Sequence, residues 1–160
     1  MDKQIIEIYT DGSCHTEYHI GAWAAILFID DEKVLLKEEV RHTTHNRMEL
    51  EAVIKAIEFT DNKHNDTSLV VYTDSQYVHR IPERKEKLKH KNFLTNKGTP
   101  IQNVDLVKVL ILLIESHSIE FIKVKAHQKP DGSLNYNAEV DKIAREMVRE
   151  NVKKSLQSTK

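Results

Sequence analysis

One short apolar run, residues 69–73 (LVVYT), most constrains how this chain can fold. Continuous apolar character over so few residues fits a central strand that is buried on both faces of a sheet. The segment before it, residues 46–59, carries its apolar side chains at the spacing of one helix face. A strand that is reached through a helix requires parallel pairing, with helices packed on the sheet. The run therefore predicts an α/β fold.

The other segments extend this pattern. Three strand-like segments open the chain and indicate an antiparallel meander. Strands are predicted at residues 5–9, 22–29, 34–40, 69–73 and 119–124, and helices at residues 46–59, 75–81, 104–115 and 138–152. This order predicts one mixed sheet of five strands, three antiparallel and then parallel, with helices on both faces.

Composition limits the class of protein. The chain of 160 residues, 39% of them hydrophobic, suffices for one domain with a real core, which we place at residues 1–152, followed by a frayed tail at 153–160. A single cysteine excludes an intrachain disulfide and fits a reducing compartment. No apolar run approaches membrane-spanning length. We expect a cytoplasmic protein that has no membrane association and needs no obligatory protein partner.

Four carboxylates fall where ligand sites form in such sheets. Asp11 and Asp74 come where core strands end, and ligands bind outside strand ends. Glu49 lies in the first turn of its predicted helix, and Asp141 lies early in the last predicted helix. The four side chains could therefore converge at one end of the sheet.

Each of these acids alone has an ordinary structural explanation. Asp11 could form a turn, and Asp74 could cap the helix that follows it. Glu49 could complement the helix dipole, and Asp141 could simply be solvated. Packed together, however, four acids would repel one another, and a divalent cation removes that penalty. Oxygen ligands without a cysteine or histidine cluster suit Mg²⁺ or Mn²⁺ rather than Zn²⁺.

A basic block at residues 80–97 stands out from a net charge of −1, because it has seven Lys or Arg residues and two acids, a local charge of +5. Such a block can steer a polyanion even when the whole chain is nearly neutral. It could also be a solvated face. The candidate phosphate-binding residues within it are Arg84, Lys85, Lys87, Lys89 and Lys91.

Five motifs in order resemble type 1 ribonuclease H. They are YTDGSC at residues 9–14, TTHNRMEL at 43–50, YTDSQYV at 72–78, NVDL at 103–106, and VKAH at 124–127 followed by Asn137 and Asp141. The likeness runs from about residue 5 to residue 147, and five ordered motifs are far more specific than any one of them.

The resemblance implies the ribonuclease H fold and a two-metal-ion endonuclease that cuts the RNA strand of RNA–DNA hybrids, leaving 3′-hydroxyl and 5′-phosphate ends. It further implies two Mg²⁺ ions, with Mn²⁺ as a substitute. By position, it assigns metal binding to the carboxylates of Asp11, Glu49, Asp74 and Asp141, and proton transfer to His127. It assigns the binding of a DNA phosphate to Thr44 and Asn103. The residues that it places against the RNA strand are Asn46 and Gln76.

The chain also departs from the family pattern. Glu17 and His45 stand where asparagine is common, the only tryptophan is Trp23, and the loop at residues 128–136 is longer than in short bacterial forms. Phe93 is the one aromatic residue left in the basic block.

Two other functions stay open from the sequence: a two-metal nuclease that acts on DNA, and a hybrid-binding module without activity.

Overall fold

Three strands come first and are followed by five helices and two further strands in the computed structural model, which describes residues 4–61, 67–125 and 135–157. The strands are β1 (Gln4–His15), β2 (Ile20–Ile29), β3 (Glu32–Arg41), β4 (Thr67–Thr73) and β5 (Ser118–Lys123). The helices are α1 (His45–Asp61), α2 (Gln76–His79), α3 (Ile81–His90), α4 (Val104–Ser116) and α5 (Tyr136–Gln157). Within these ranges no helix combines the length and apolar character needed to cross a membrane.

The five strands form one sheet in the order β3-β2-β1-β4-β5. β1 pairs with β2, and β2 with β3, in antiparallel fashion. β1 pairs with β4, and β4 with β5, in parallel. The predicted mixed sheet, with an antiparallel meander followed by parallel strands, is confirmed.

Helices cover both faces of this sheet, as expected. The larger core lies under α1 and α4 and includes Ile8 and Val71. On the opposite face, α5 packs Val140 and Ala144 against Ala24 of β2. The prediction that β4 is buried on both faces was wrong, because α5 packs on β1 and β2 and leaves one face of β4 half-buried.

β1 is longer than the sequence predicted. Its parallel pairing with β4 ends at Tyr9, opposite Tyr72, but its antiparallel pairing with β2 continues to His15. Asp11 therefore lies inside a strand, paired with Ala24, and not at a strand end. It lies two residues beyond Tyr9, the last residue that pairs with β4, so the edge of β1 facing β4 is already open at Asp11.

Two helical segments also differ from prediction. The basic block contains α3, which sequence patterning missed because only Ile81 and Leu88 are buried in it. α5 continues past Val152 to Gln157, so residues 153–157 are helical and not frayed. No glycine or proline follows Val152, and lysine, leucine and glutamine favour continued helix.

Candidate active site

α1 packs directly on β1 at Gly12. A Cβ atom added there would lie 2.5 Å from both the Glu49 backbone nitrogen and the Met48 carbonyl carbon. Only glycine permits this approach, which brings Glu49 next to Asp11. A glycine inside a strand is a known sign of a close approach of backbone, and Gly12 has that role here.

Three carboxylates meet at this contact. Asp11 comes from β1, Glu49 from α1, and Asp74 from the residue that follows β4. One ligand oxygen of each lies within 4.8 Å of the others. Asp11 is 4% exposed and Glu49 only 2% exposed, so two of the three acids are removed from water.

The fourth predicted carboxylate, Asp141, approaches from α5. Its carboxylate is near enough to help raise the pKa of Asp11, and Arg145 donates from Nη1 to Asp141 Oδ2 at 3.4 Å. All four acids line one cleft of about 350 Å³, together with Gly12, Ser13, His45, Ser75 and Arg145. The structure thus brings the predicted set together, with Asp141 outside the tightest group of three.

Proximity and burial change how these acids ionise. Burial, together with the charges of Glu49, Asp74 and Asp141, raises the pKa of Asp11 to about 11. Burial also raises the pKa of Glu49, against the opposing effect of the hydrogen bond with His45. A cluster of this kind must bind protons or cations to be stable at neutral pH.

The residues fit a hard divalent cation. Glu49 Oε1 lies 3.2 Å from His45 Nε2, whereas Glu49 Oε2 is buried and has no hydrogen-bond partner in the described part of the chain. A buried carboxylate oxygen is costly unless it is paired or binds a metal. The four predicted ligands offer only oxygen, the donor that Mg²⁺ and Mn²⁺ prefer.

The ordinary explanations for these acids do not hold in the structure. Ser75, not Asp74, caps α2, since its Oγ accepts from the Val78 amide at 3.1 Å. Glu49 is buried and is the fifth residue of α1, so its predicted place in the first helical turn was wrong. Asp11 lies in a strand and not in a turn.

Known proteins with a similar sequence identify the family. A sequence model described as RNase H matches residues 3–149. The chain belongs to the RNase H family. A ribonuclease H of Methylobacillus flagellatus is 40% identical over 144 residues, covering 89% of this chain and 93% of that protein. One of Clostridium botulinum is 36% identical over 153 residues, covering 92% and 97%. The expected enzyme class, a ribonuclease H, is confirmed.

Solved structures show the same RNase H fold. LC9-RNase H1, described as a type 1 RNase H with the type 2 active-site motif, matches with a TM-score of 0.77 at 20% identity, covering 94% of this chain and 74% of that one. LC11-RNase H1, solved in complex with an RNA/DNA hybrid, matches with a TM-score of 0.67 at 17% identity, covering 92% and 99%. The expected fold is thereby confirmed.

Two of the residues that the RNase H resemblance assigns to substrate are sequence neighbours of cleft residues. Asn46 follows His45, and Gln76 follows Ser75, so each is next to a cleft residue. Gln76 is exposed, and its amide oxygen, when turned toward Arg80, accepts from Nη2 at 2.6 Å. Two more, Thr44 and Asn103, lie at the starts of α1 and α4.

The basic block divides into two faces of α3. Arg84, Lys87 and Lys91 line a groove of about 290 Å³ with Leu88, Ile101 and residues 94–96. Lys89 instead pairs its Nζ with Glu115 Oε2 of α4 at 2.8 Å. Lys85 also acts on Glu115, since its charge helps to lower the pKa of that carboxyl. Three of the five predicted phosphate-binding residues therefore line the groove, and the other two lie near Glu115.

Sequence reasoning missed three side chains of the cleft: His45 as a partner of Glu49, Ser75 as the cap of α2, and Arg145 as a partner of Asp141. The His45–Glu49 and Asp141–Arg145 pairs have the i, i+4 spacing that brings helix side chains together, so a signal existed for both. His127 and most of the longer loop after it lie outside the described residues.

Proposed function

We propose that this protein is an endonuclease that hydrolyses the RNA strand of RNA–DNA hybrids and leaves 3′-hydroxyl and 5′-phosphate ends. The observation that carries the proposal is the cleft of four carboxylates with a buried, unpartnered Glu49 oxygen, in a chain of the RNase H family. The curated relatives are named ribonuclease H. One solved neighbour, LC11-RNase H1, was crystallised in complex with an RNA/DNA hybrid.

Asp11, Glu49, Asp74 and Asp141 would hold two Mg²⁺ ions, with Mn²⁺ as a substitute. When bound, such ions lower the pKa of the attacking water and stabilise the charge on the leaving oxygen. Asp11, Glu49 and Asp74 form the group of three closest acids and would hold an ion between them. Asp141 is assigned to one ion only, because it approaches from α5 beyond that group.

The two carboxylate oxygens of Glu49 have different partners in this proposal. The contact with His45 Nε2 at 3.2 Å occupies Glu49 Oε1, so the unpartnered Oε2 is the oxygen left for a cation or a substrate hydroxyl. Discrimination of RNA from DNA has to use the 2′-hydroxyl. Asn46 and Gln76, beside the cleft, are assigned to the RNA strand.

The DNA strand is assigned to a second set of residues. Thr44 and Asn103 would hold one of its phosphates, and the groove formed by Arg84, Lys87 and Lys91 would bind others. Lys85 and Lys89 contribute less, because Glu115 offsets their charge. The proton-transfer role of His127 stays a prediction, as does the cytoplasmic location.

A substrate comparison tests the proposal. Labelled RNA–DNA hybrid, duplex DNA and duplex RNA are each incubated with the protein and Mg²⁺, and the products are sized and their ends determined. We expect cleavage of the hybrid alone, within its RNA strand. Equal cleavage of duplex DNA would support the DNA-nuclease alternative, and tight hybrid binding without cleavage would support the binding-module alternative.

A further inference from the structure

Arg47 connects the two helix starts that carry the proposed DNA-phosphate residues. Its Nη1 and Nη2 donate to Asp105 Oδ1 and Oδ2 at 3.0 and 2.8 Å, a bidentate pair between α1 and α4. Its backbone amide donates to Thr44 Oγ1 at 3.3 Å. Such paired, charged hydrogen bonds fix geometry as well as adding energy, so Arg47 holds the start of α4 against the start of α1.

Asn103 has an unusual backbone at the start of α4. Its φ of 58° and ψ of 32° place it in the left-handed region, which asparagine tolerates better than most residues. It occupies the N-cap position, yet within the described chain its side chain makes no capping bond to α4. A strained residue whose side chain does not serve its own helix is a candidate for a functional role.

The Asn103 amide is held in one orientation. Arg47 Nη1 donates to Asn103 Oδ1 at 3.4 Å, and Asn103 Nδ2 donates to the Tyr77 hydroxyl at 3.4 Å. Because a guanidinium has only donors, Arg47 can face the amide oxygen but not the amide nitrogen. The NH₂ group is therefore directed away from Arg47. It carries two hydrogens, one more than the bond to Tyr77 uses, and an anion is bound by such donors.

We propose that Arg47 is a positioning residue that presents the Asn103 NH₂ group to a phosphate of the DNA strand. It does so by fixing the amide orientation and by tying α4, through Asp105, to the helix start that carries Thr44. This inference rests on the proposed function, since it takes Asn103 as a phosphate ligand. When the Asn103 NH₂ group and the Thr44 hydroxyl are already held in place, less conformational entropy is lost on binding the phosphate. Arg47 is absent from the lining of the carboxylate cleft in the described chain, so it acts on binding and not on chemistry.

A double-mutant cycle tests the coupling. Arg47→Met, Asn103→Ala and the double variant are compared for KM and kcat on the hybrid, and for Kd by fluorescence anisotropy in an Asp11→Asn background. We expect each single change to raise KM and Kd about 10-fold, the size expected for losing one hydrogen bond to a charged group, with kcat unchanged. Because Arg47 acts through Asn103, the double variant should match Asn103→Ala alone.

Two further variants separate positioning from charge and from general stability. Arg47→Lys keeps the charge but loses the fork that reaches both Asp105 and Asn103, so it should restore little of the lost affinity. Lys33→Met removes one positive charge and the 2.8 Å pair with Glu139, and should leave KM unchanged. Thermal unfolding of each variant identifies any loss of folded protein.

The outcomes are separable. Multiplying effects in the double variant, about 100-fold in KM, would mean that Arg47 binds the substrate independently of Asn103 and would overturn the inference. Full recovery by Arg47→Lys, or an equal loss from Lys33→Met, would overturn it as well. A wild-type protein that does not cut the hybrid contradicts the proposed function instead.

Discussion

The carboxylate cleft and the basic face of α3 are both charged, but they are built in opposite ways. In the cleft, Asp11 and Glu49 are almost fully buried, and the pKa of Asp11 is raised to about 11. On α3, Arg84 and Lys87 are exposed, and their neighbour Lys89 is already paired with Glu115. Arg145 and His45 offset only part of the negative charge of the cleft, so a bound cation or proton has to balance the rest. The charges of α3 are balanced by water, salt and neighbouring acids such as Glu115.

This difference indicates how the two regions act. A buried site that is held by backbone packing at Gly12 is fixed by the fold, so its geometry tolerates little change. An exposed helix face acts through the sum of its charges, which is screened by salt and distributed over several residues. Changes in the cleft should therefore affect chemistry, and changes on α3 should affect affinity.

The largest effect is expected from removing one cleft carboxylate. Asp74→Asn keeps the size of the side chain but loses the charge that would balance a cation, so kcat should fall by about 10³-fold or more. Hybrid binding, measured by anisotropy, should survive. A variant that still cuts at a rate near that of the wild type would contradict the metal scheme, and a loss of binding of similar size would remove the distinction between the two regions.

An intermediate effect is expected from the two faces of α3, which allow a matched comparison. Two double variants each remove two positive charges: Lys87→Gln/Lys91→Gln on the groove side, and Lys85→Gln/Lys89→Gln on the side of Glu115. Each phosphate contact that is lost lowers the slope of log Kd against log salt concentration by about 0.9. The groove-side double variant should therefore lower this slope by about 2 and should raise Kd at low salt. The second pair should change both less, since Glu115 offsets those lysines. Equal slopes for the two variants would show that the groove has no special role.

A smaller effect is expected in the pH dependence of stability. Because the pKa of Asp11 is raised from 3.8 to about 11 in the folded chain, the native state retains a proton that the unfolded state has released. Without divalent ions, the free energy of unfolding should therefore fall as pH rises through this window. Mg²⁺ competes with that proton, so its stabilising effect should grow with pH.

Calorimetry of the wild type and Asp11→Asn, with Mg²⁺ or with a chelator, measures this. Mg²⁺ should raise the Tm of the wild type by a few degrees at about pH 8.5 and by less at about pH 5.5. The metal-free Asp11→Asn variant should be more stable than the metal-free wild type at the higher pH and gain less from Mg²⁺. Identical Mg²⁺ responses of the two proteins would remove Asp11 from the site.

The sequence predicted those elements whose structure follows from the local pattern of apolar residues. β2 and β4 were found because their apolar runs are continuous, and α1 because its apolar face repeats at helical spacing. The continuation of β1 through Asp11 and Gly12 was missed because it depends on pairing with β2 and not on apolar residues. α3 was missed because its charged residues leave only two buried side chains.

The candidate site was predictable in its residues and not in its contacts. Four acids placed near strand and helix ends suggested a metal site, and the resemblance to the RNase H family supplied the substrate. The i, i+4 spacing of His45 and Glu49 allows their contact, but that this contact belongs to the cleft depends on which face of α1 packs against β1. The division of the lysines depends on how α4 docks against α3, which places Glu115 beside Lys89. Such information appears only when separate elements are packed together.

The origin of the four carboxylates has a consequence for biosynthesis. Asp11, Glu49 and Asp74 come from β1, α1 and the residue after β4, whereas Asp141 is delivered by α5, which follows all five strands of the sheet in the chain. α5 packs on β1 and β2, which are synthesised well before it. A nascent chain can form the meander early but cannot complete the cleft until α5 has been synthesised. The order of the elements thus delays a nuclease centre until the whole domain can enclose it.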